Sequence, residues 1–186
     1  DDLEGSYSAI SDALDKVDLL ITTGGVSVGD YDYMPDIYHR LGARVLFNKV
    51  AMRPGSVTTV AAMGGKILFG LSGNPSASYV GFELFVRPII RTMLHSPNPH
   101  LKRVSAVLGE DFTKANPFTR FVRSRTYYED GRLCVVPSGK DKSNMVMSLV
   151  TANSFAILPG GTRGYQKGEE VDILLLEDEE GSAWPW

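Results

Sequence analysis

The chain has 186 residues and a formal net charge of −3 at pH 7, with 43% hydrophobic and 22% charged residues. This composition is that of an ordinary globular protein, long enough for one large or two small domains. It excludes a strongly basic surface, so we expect neither nucleic acid nor a membrane as a partner. No apolar run approaches the ~18 residues that a membrane-spanning helix needs. The single cysteine, Cys134, cannot form an internal disulfide, which favours a cytoplasmic location.

The first hundred residues alternate between helical and strand patterns. The helical patterns are "SYSAISDALDKV" and "MPDIYHRLG", the second ending at Gly42, and the strand patterns are "DLLITT", "ARVLFNKVAM" and "KILFGL". We expect the "DLLITT" strand to be covered on both faces because it is continuously apolar. A long helix follows from the cap Asn74 and from Pro75 at its first position, with a kink or break at Pro88. Strands alternating with helices predict an α/β domain with a mostly parallel sheet over residues 1–97.

The second half of the chain predicts β-structure only. A polar stretch with two prolines, residues 95–103, predicts a linker. Short strand patterns follow in "RVSAVLG", "FVRSRTYY", "RLCVVP", "SFAILPG" and "EVDILLLE", with a hairpin turn at Glu129-Asp130-Gly131. We therefore expect a small all-β domain over residues 101–180, barrel-like or clip-like, and a frayed acidic end in "EDEEGSAWPW".

The stretch "ITTGGVSVGDYDY" places glycines directly after a strand and before a helix. Glycines let backbone N–H groups face a ligand, and the following helix adds the positive end of its dipole. The spacing matches neither a dinucleotide fingerprint nor a P-loop, so an anion-binding loop and a plain turn from sheet to helix both stay open. The candidate ligand residues of this loop are Gly24, Gly25, Ser27 and Gly29.

Two carboxylates, Asp30 and Asp32, follow these glycines. Beside a phosphate-type loop they indicate a divalent cation or a catalytic base, because two carboxylates would otherwise repel an anion. The alternative is that Asp32 only caps the next helix.

Two cations and a second glycine turn extend the candidate site. Lys49 and Arg53 are four residues apart in an extended segment, which would place both side chains on one side of a strand. There they would either hold an oxyanion or be simply solvated. The stretch "GLSGNPSAS" is a second strand-to-helix turn, and two helix N-termini can converge on one ligand.

Several other site classes are disfavoured. The three histidines, His39, His95 and His100, have no second ligand at metal-binding spacing, which argues against a structural zinc site. "GLSGN" is not the GxSxG of a nucleophile elbow. Arg120, Arg123 and Arg125 predict a solvated strand face rather than a nucleic-acid strip, because acidic residues lie nearby.

Together, "TTGGVSVGDYDY", "FNKVAMRPG" and "GLSGNPSASYVGFELFVRPIIRTM" resemble the molybdopterin molybdotransferase family, which includes the catalytic domain of gephyrin. "SNMVMSLVTANSFAILP" also resembles the family's C-terminal domain. The resemblance implies a three-layer α/β/α molybdopterin-binding domain followed by the small β domain. It also implies an enzyme of molybdenum cofactor biosynthesis that takes adenylylated molybdopterin and molybdate, releases AMP, uses Mg2+ or another divalent cation, and works as a homodimer.

The resemblance assigns roles to individual residues. Asp32 matches the acidic residue after the glycine loop and is a catalytic and metal candidate, and Asp1 matches another active-site aspartate. Lys49 and Arg53 match the basic pair of the cleft. The residues matched to ligand contacts are Gly24, Gly25, Ser27, Gly29, Asn74, Pro75 and Ser143.

The chain departs from the family pattern in three places. Arg53 stands where lysine is common, and Ser72 replaces a proline, which predicts a less rigid loop. The family's N-terminal domains, and the opening strand and helix of its α/β domain, have no match, so we expect this fragment alone to be inactive. Two alternatives stay open: a molybdopterin adenylyltransferase of the same superfamily, and a non-catalytic scaffold that binds a protein partner.

Overall fold

The structure of the chain, a computed structural model, describes residues 3–24, 34–114, 117–139, 150–178 and 180–186. The chain forms two compact units, Asp1–Val50 with Gly55–Gly81 and Ala51–Pro54 with Phe82–Trp186. The domain division between residues 97 and 101 stays a prediction. None of the helices within the described ranges combines the length and the apolar character that crossing a bilayer requires.

The structure contains four α-helices and ten strands within the described ranges. The helices are α1 (Leu3–Leu14), α2 (Met34–Arg40), α3 (Pro75–Gly81) and α4 (Arg87–Met93), and a π-helical turn spans Phe82–Val86. The first five strands are β1 (Leu19–Thr23), β2 (Arg44–Phe47), β3 (Met52–Arg53), β4 (Thr59–Met63) and β5 (Lys66–Leu71). The other five are β6 (Lys102–Leu108), β7 (Thr119–Glu129), β8 (Arg132–Pro137), β9 (Ser154–Leu158) and β10 (Glu170–Leu175).

The first unit holds a four-stranded sheet in the order β1-β5-β4-β2. β1 and β5 pair in parallel, with Thr23 opposite Leu71, whereas β4 pairs antiparallel with both β5 and β2. The α/β class is confirmed, but the prediction of a mostly parallel sheet is wrong for the described strands. The cause is a two-residue turn at Gly64-Gly65, with φ of 57° and 82°, which joins β4 to β5 as a hairpin.

Helices pack on both faces of this sheet, as a three-layer architecture requires. α1 and α2 bury their apolar residues in one cluster with Leu68 of β5. On the opposite face, a Cβ built on Gly81 of α3 would lie 3.1 Å from Cδ2 of Leu71, and side chains an odd number of positions apart in a strand point to opposite faces. β1 is less covered than predicted, since Ile21 is 36% exposed.

The long helix predicted from Asn74 is interrupted at its middle. α3 ends at Gly81, and α4 begins only after the π-helical turn. Pro88, the second residue of α4, has no N–H to donate, and the wider turn before it accommodates that missing bond. The predicted break near Pro88 is therefore confirmed. Glu83 and Arg87 form an ion pair of 2.7 Å along this segment.

The second unit is a closed five-stranded barrel, so the barrel-like prediction is confirmed. Its strands pair in the order β7-β8-β6-β10-β9, and β9 pairs with β7 to close the ring. β3 adds a short parallel pair to β7. The predicted hairpin turn lies between β7 and β8, where Asp130 and Gly131 have φ of 49° and 75°. Apolar side chains of the barrel strands form a buried cluster, which includes Leu108, Val122, Val135, Ala156, Leu158 and Ile173.

Two predictions about this unit are wrong. The acidic end is not frayed, because Ser182 forms an antiparallel bridge with His100 and the ring of Trp186 packs against Phe121. The arginines of β7 do not form one solvated face, because Arg123 is only 6% exposed. The alternation of residues along β7 does not predict the burial of Arg123. That burial depends on the neighbouring strands, and β7 pairs with β8, β9 and β3.

Candidate functional site

Two loops leave the sheet side by side at the ends of β1 and β5. The N–H of Gly24 donates to the carbonyl of Leu71 across 3.2 Å, which extends the parallel pairing beyond Thr23. A Cβ built on Gly73 would lie 3.2 Å from the Cα of Gly24. A side chain at Gly73 would therefore push the two backbones apart by a few tenths of an ångström, whereas a Cβ on Gly24 would meet nothing within 4 Å. The carboxyl edge of parallel strands is where open α/β folds bind ligands, so the predicted convergence of the two turns has a structural basis.

The second loop is ordered by its own side chains. Oδ1 of Asn74 accepts hydrogen bonds from the N–H groups of Ser76, at 3.0 Å, and Ala77, at 3.3 Å. Asn74 is thus the predicted helix cap, with Pro75 at the first position of α3. The N–H of Asn74 donates to Oγ of Ser72 across 3.2 Å, so the residue that replaces the family proline holds the turn by a hydrogen bond.

Lys49 and Arg53 do not share a strand. Lys49 lies in the connection after β2, whereas Arg53 is the second residue of β3 and lies opposite Arg120 of β7. The prediction that both side chains point to one side of a single strand is therefore wrong, because the strand pattern breaks between them. Both residues are exposed, and the guanidinium of Arg53 lies 5.9 Å from the ring centre of Phe118. Each is an exposed cation that a bound oxyanion can contact.

Six of the predicted site residues lie outside the described ranges: Asp1, Gly25, Ser27, Gly29, Asp32 and Ser143. Their roles stay predictions. Within the ranges that the structure describes, no three His, Cys, Asp or Glu side chains are grouped as ligands for a metal ion.

Gly73 is the site residue that the sequence predictions missed. Its signal was present, because it lies in "GLSGNPSAS", but a glycine in a strand-to-helix turn does not show which backbone it approaches. A second missed contact joins Thr22 of β1 to the first residue of α2, where Oγ1 lies 4.0 Å from Sδ of Met34.

Two stretches of the chain match described protein families. Residues 1–92 match a family model described as "Probable molybdopterin binding domain". Residues 105–176 match the model of the MoeA C-terminal region, domain IV. The two matched stretches leave the predicted linker between them.

Individual proteins and solved structures show the same similarity. The chain is 61% identical to a molybdopterin molybdenumtransferase of Bacillus subtilis over all 186 residues, and 54% identical to one of Staphylococcus aureus over 96% of its length. It spans only 43% of each of these relatives. The structure of a molybdopterin biosynthesis MoeA protein from Pyrococcus horikosii matches 96% of this chain over 42% of its own length, with a TM-score of 0.78 and 25% identity. The structure of a molybdenum cofactor biosynthesis protein from Pyrococcus furiosus matches 94% of this chain over 54% of its own length, with a TM-score of 0.66 and 27% identity.

Proposed function

Because the chain belongs to the molybdopterin molybdenumtransferase family, we propose that it is part of an enzyme that inserts molybdate into adenylylated molybdopterin and releases AMP. The observation that carries this proposal is the contact between Gly24 and Gly73, which sets two ligand loops side by side at one sheet edge. Such a pair of loops suits a ligand that carries phosphate and ring groups together.

The described residues have separable tasks in this proposal. Backbone N–H groups at the two loops bind the phosphate-bearing part of the pterin substrate. Asn74 uses its side-chain oxygen within α3, so the donor that it offers a ligand is its Nδ2 amide. Lys49 and Arg53 hold molybdate or phosphate oxygens by charged hydrogen bonds. Asp1 keeps the role of a candidate catalytic aspartate that the family resemblance implies. The ligand contacts that the resemblance implies for the remaining residues are those of Gly25, Ser27, Gly29, Pro75 and Ser143.

We assign the divalent cation, Mg2+ in the simplest case, to Asp32. A hard cation needs carboxylate or other oxygen ligands, and the described residues at the two loops supply no carboxylate. When bound, the cation would neutralise phosphate charge. The rest of the proposal does not depend on this metal ion, because it rests on the two loops and on the charged side chains of Lys49 and Arg53.

Further parts of the proposal concern the whole protein. The chain spans 43% of its relatives, so we expect the activity to require the rest of the molecule. We also propose a homodimer and a cytoplasmic location. Sedimentation of the full-length protein tests the first and cell fractionation the second.

Asp32 provides the sharpest test of this function. Asn caps helices about as well as Asp, so Asp32→Asn should leave the melting temperature unchanged if the residue only caps a helix, and activity should then stay normal. If Asp32 holds a cation or a reacting group, we expect single-turnover AMP release by the full-length protein to fall by about 10²–10³-fold. A stable variant with the wild-type rate would contradict the catalytic role. An ATP-dependent adenylylation activity without molybdate insertion would instead support the adenylyltransferase alternative.

A further inference from the structure

A segment with no assigned role crosses the second unit beside the barrel. We call Asp178 together with residues 180–186 the strap. The N–H of His100 donates to the carbonyl of Ser182 across 2.9 Å, and the N–H of Ser182 donates back to the carbonyl of His100 across 2.7 Å. The strap therefore pairs antiparallel with the stretch that leads into β6.

Gly181 shows that the strap follows one specific path. Its φ is 70°, a conformation that L side chains rarely adopt. A Cβ at this position would lie 2.6 Å from Nη1 of Arg91, 2.6 Å from the carbonyl oxygen of Asn98 and 2.7 Å from that of His100. All three distances are far shorter than van der Waals contact, so docking of the strap requires glycine here.

Trp186 provides the apolar contact of the strap. Its ring meets Phe85 edge-on, with centroids 6.4 Å apart, and meets Phe121 in the same way at 5.4 Å. These are the separations and angles that aromatic pairs prefer. Phe85 lies in the π-helical turn and Phe121 in β7, so one side chain joins two elements. The small cavity at this seat is lined by Glu83, Leu84, Pro88, His100, Leu101, Leu174 and Trp186.

Two ionic contacts between described residues hold the strap, one to the half-buried Asp178, whose side chain is 17% exposed, and one to the exposed Glu180. Nζ of Lys102 lies 3.4 Å from a carboxylate oxygen of Asp178 and 3.1 Å from one of Glu180. The Lys102 side chain is 40% exposed and that of Glu180 is 80% exposed. Exposed pairs contribute little and weaken with salt. Trp186 itself is 40% exposed.

We propose that the strap is a reversible latch, which leaves its seat as a unit while the barrel stays folded and thereby uncovers the aromatic site of Phe85 and Phe121. The occupant of that site in the closed state is the strap's own Trp186. Opening breaks, among the described residues, two backbone hydrogen bonds together with the aromatic and ionic contacts of the strap. Opening the barrel breaks ladders of two to six residue pairs between strands and also the buried apolar cluster that these strands enclose. Segments held by few, exposed contacts open locally at a lower free energy than the core.

Hydrogen exchange read by mass spectrometry tests this latch in the full-length protein. We expect the amides of Ser182 and His100, whose mutual bonds open with the strap, to exchange together and at least tenfold faster than those of β9. Raising salt from about 0.01 M to about 1 M, over which the Debye length falls from about 30 Å to about 3 Å, should accelerate the strap and leave β9 unchanged. Exchange of the strap only in step with β9 would overturn the proposal.

Two glycines provide a matched pair of variants. Gly131 has nearly the same φ as Gly181, 75° against 70°, but a Cβ there meets nothing within 4 Å. Gly131→Ala therefore reports backbone strain alone, and Gly181→Ala adds the clash with the docking surface. We expect Gly181→Ala to accelerate exchange at Ser182 and His100 at least tenfold more than Gly131→Ala does. Equal effects would overturn the latch.

The tryptophans of the chain give an independent readout. The chain has two, and both lie in the strap. Trp184 is 78% exposed. The emission of Trp186 in the full-length protein is taken as the difference between the Trp184→Phe variant and the variant that carries both Trp184→Phe and Trp186→Phe. We expect Trp186 emission to shift to the red with salt, at a midpoint that does not depend on protein concentration. A concentration-dependent midpoint would show exchange of straps between two copies and overturn an intramolecular latch.

Discussion

Gly73→Ala tests whether the spacing between the two loops affects the activity without affecting the stability of the fold. Gly73 lies outside the left-handed region, so Gly73→Ala adds no backbone strain, but its Cβ would lie 3.2 Å from the Cα of Gly24. Neither backbone can move aside as a flexible side chain would. We expect the loops to separate slightly and the turnover of the full-length protein to fall by about tenfold to a hundredfold, with little change in melting temperature.

Gly70→Ala is the control for this change. A Cβ there meets Thr59 and Met34 at 3.4 to 3.5 Å, which is ordinary contact, and lies within β5 rather than in the loop. We expect nearly normal turnover from this variant. Similar losses of turnover in both variants would show that packing of the sheet, and not the loop contact, limits the activity.

Lys49 and Arg53 are the residues for which binding rather than catalysis is the clearest readout. Replacing both with Ala should weaken binding of molybdate or tungstate by more than tenfold, because hydrogen bonds to charged groups contribute roughly 1.5–3 kcal/mol each. Both side chains are exposed, so the melting temperature should hardly change. Calorimetry measures the affinity. Arg132→Ala, which removes an exposed cation from β8, is the control, and unaltered binding by the double variant would contradict the role.

At the scale of elements, the cap of α3 lets stability and ligand binding be measured apart. Asn74→Asp keeps the oxygen that caps Ser76 and Ala77, so the free energy of unfolding should stay within a few tenths of a kcal/mol. The same change adds a negative charge at the loop that, under the proposed function, binds an anionic substrate. We therefore expect weaker substrate binding by Asn74→Asp, whereas Asn74→Ala should lose about 1 kcal/mol of stability. Normal binding by a stable Asn74→Asp variant would place the ligand elsewhere.

Local patterns predicted most elements, and nonlocal pairing explains the failures. The five barrel strands and the β7–β8 turn followed from alternation and from Asp130-Gly131. β4 was missed, although Gly64-Gly65 between two apolar runs is a hairpin signal. Its antiparallel pairing then reversed the expected character of the sheet. The pairing of two loops through Gly24 and Gly73 depends on the register of β1 with β5, which no local pattern encodes.

At the scale of the whole chain, the sequence order conceals which distant segments meet. The barrel closes through β7 and β9, whose pairing joins Arg120 to Leu158. The strap returns from residue 182 to residue 100. A tail rich in acidic residues is typical of a solvated end, and only the three-dimensional surroundings of Gly181 and Trp186 make it a docked one.

Charges around the strap make its docking depend on pH. Burial lowers the pKa of His100 below its ordinary 6.5. His100 lines the same small cavity as Glu83, which is paired with Arg87. The pKa of Asp178 is lowered, chiefly by the N–H of Gly181 and also by Lys102. The pKa of Lys102 is raised, chiefly by its hydrogen bond to Glu180.

The signs of these shifts predict that acid loosens the strap in two steps. Because the open form binds a proton on His100 more readily than the closed form, closure weakens as pH falls below about 6.5. A second and smaller loss follows as pH falls through the lowered pKa of Asp178, because opening breaks its contact with Lys102 but not its bond to Gly181, which moves with the strap. Alkali removes the Lys102 contribution only above its raised pKa. His100→Gln should abolish the first step between about pH 8 and about pH 5, measured by exchange at Ser182 or by Trp186 emission. An unchanged pH profile in that variant would assign the acid sensitivity to another group.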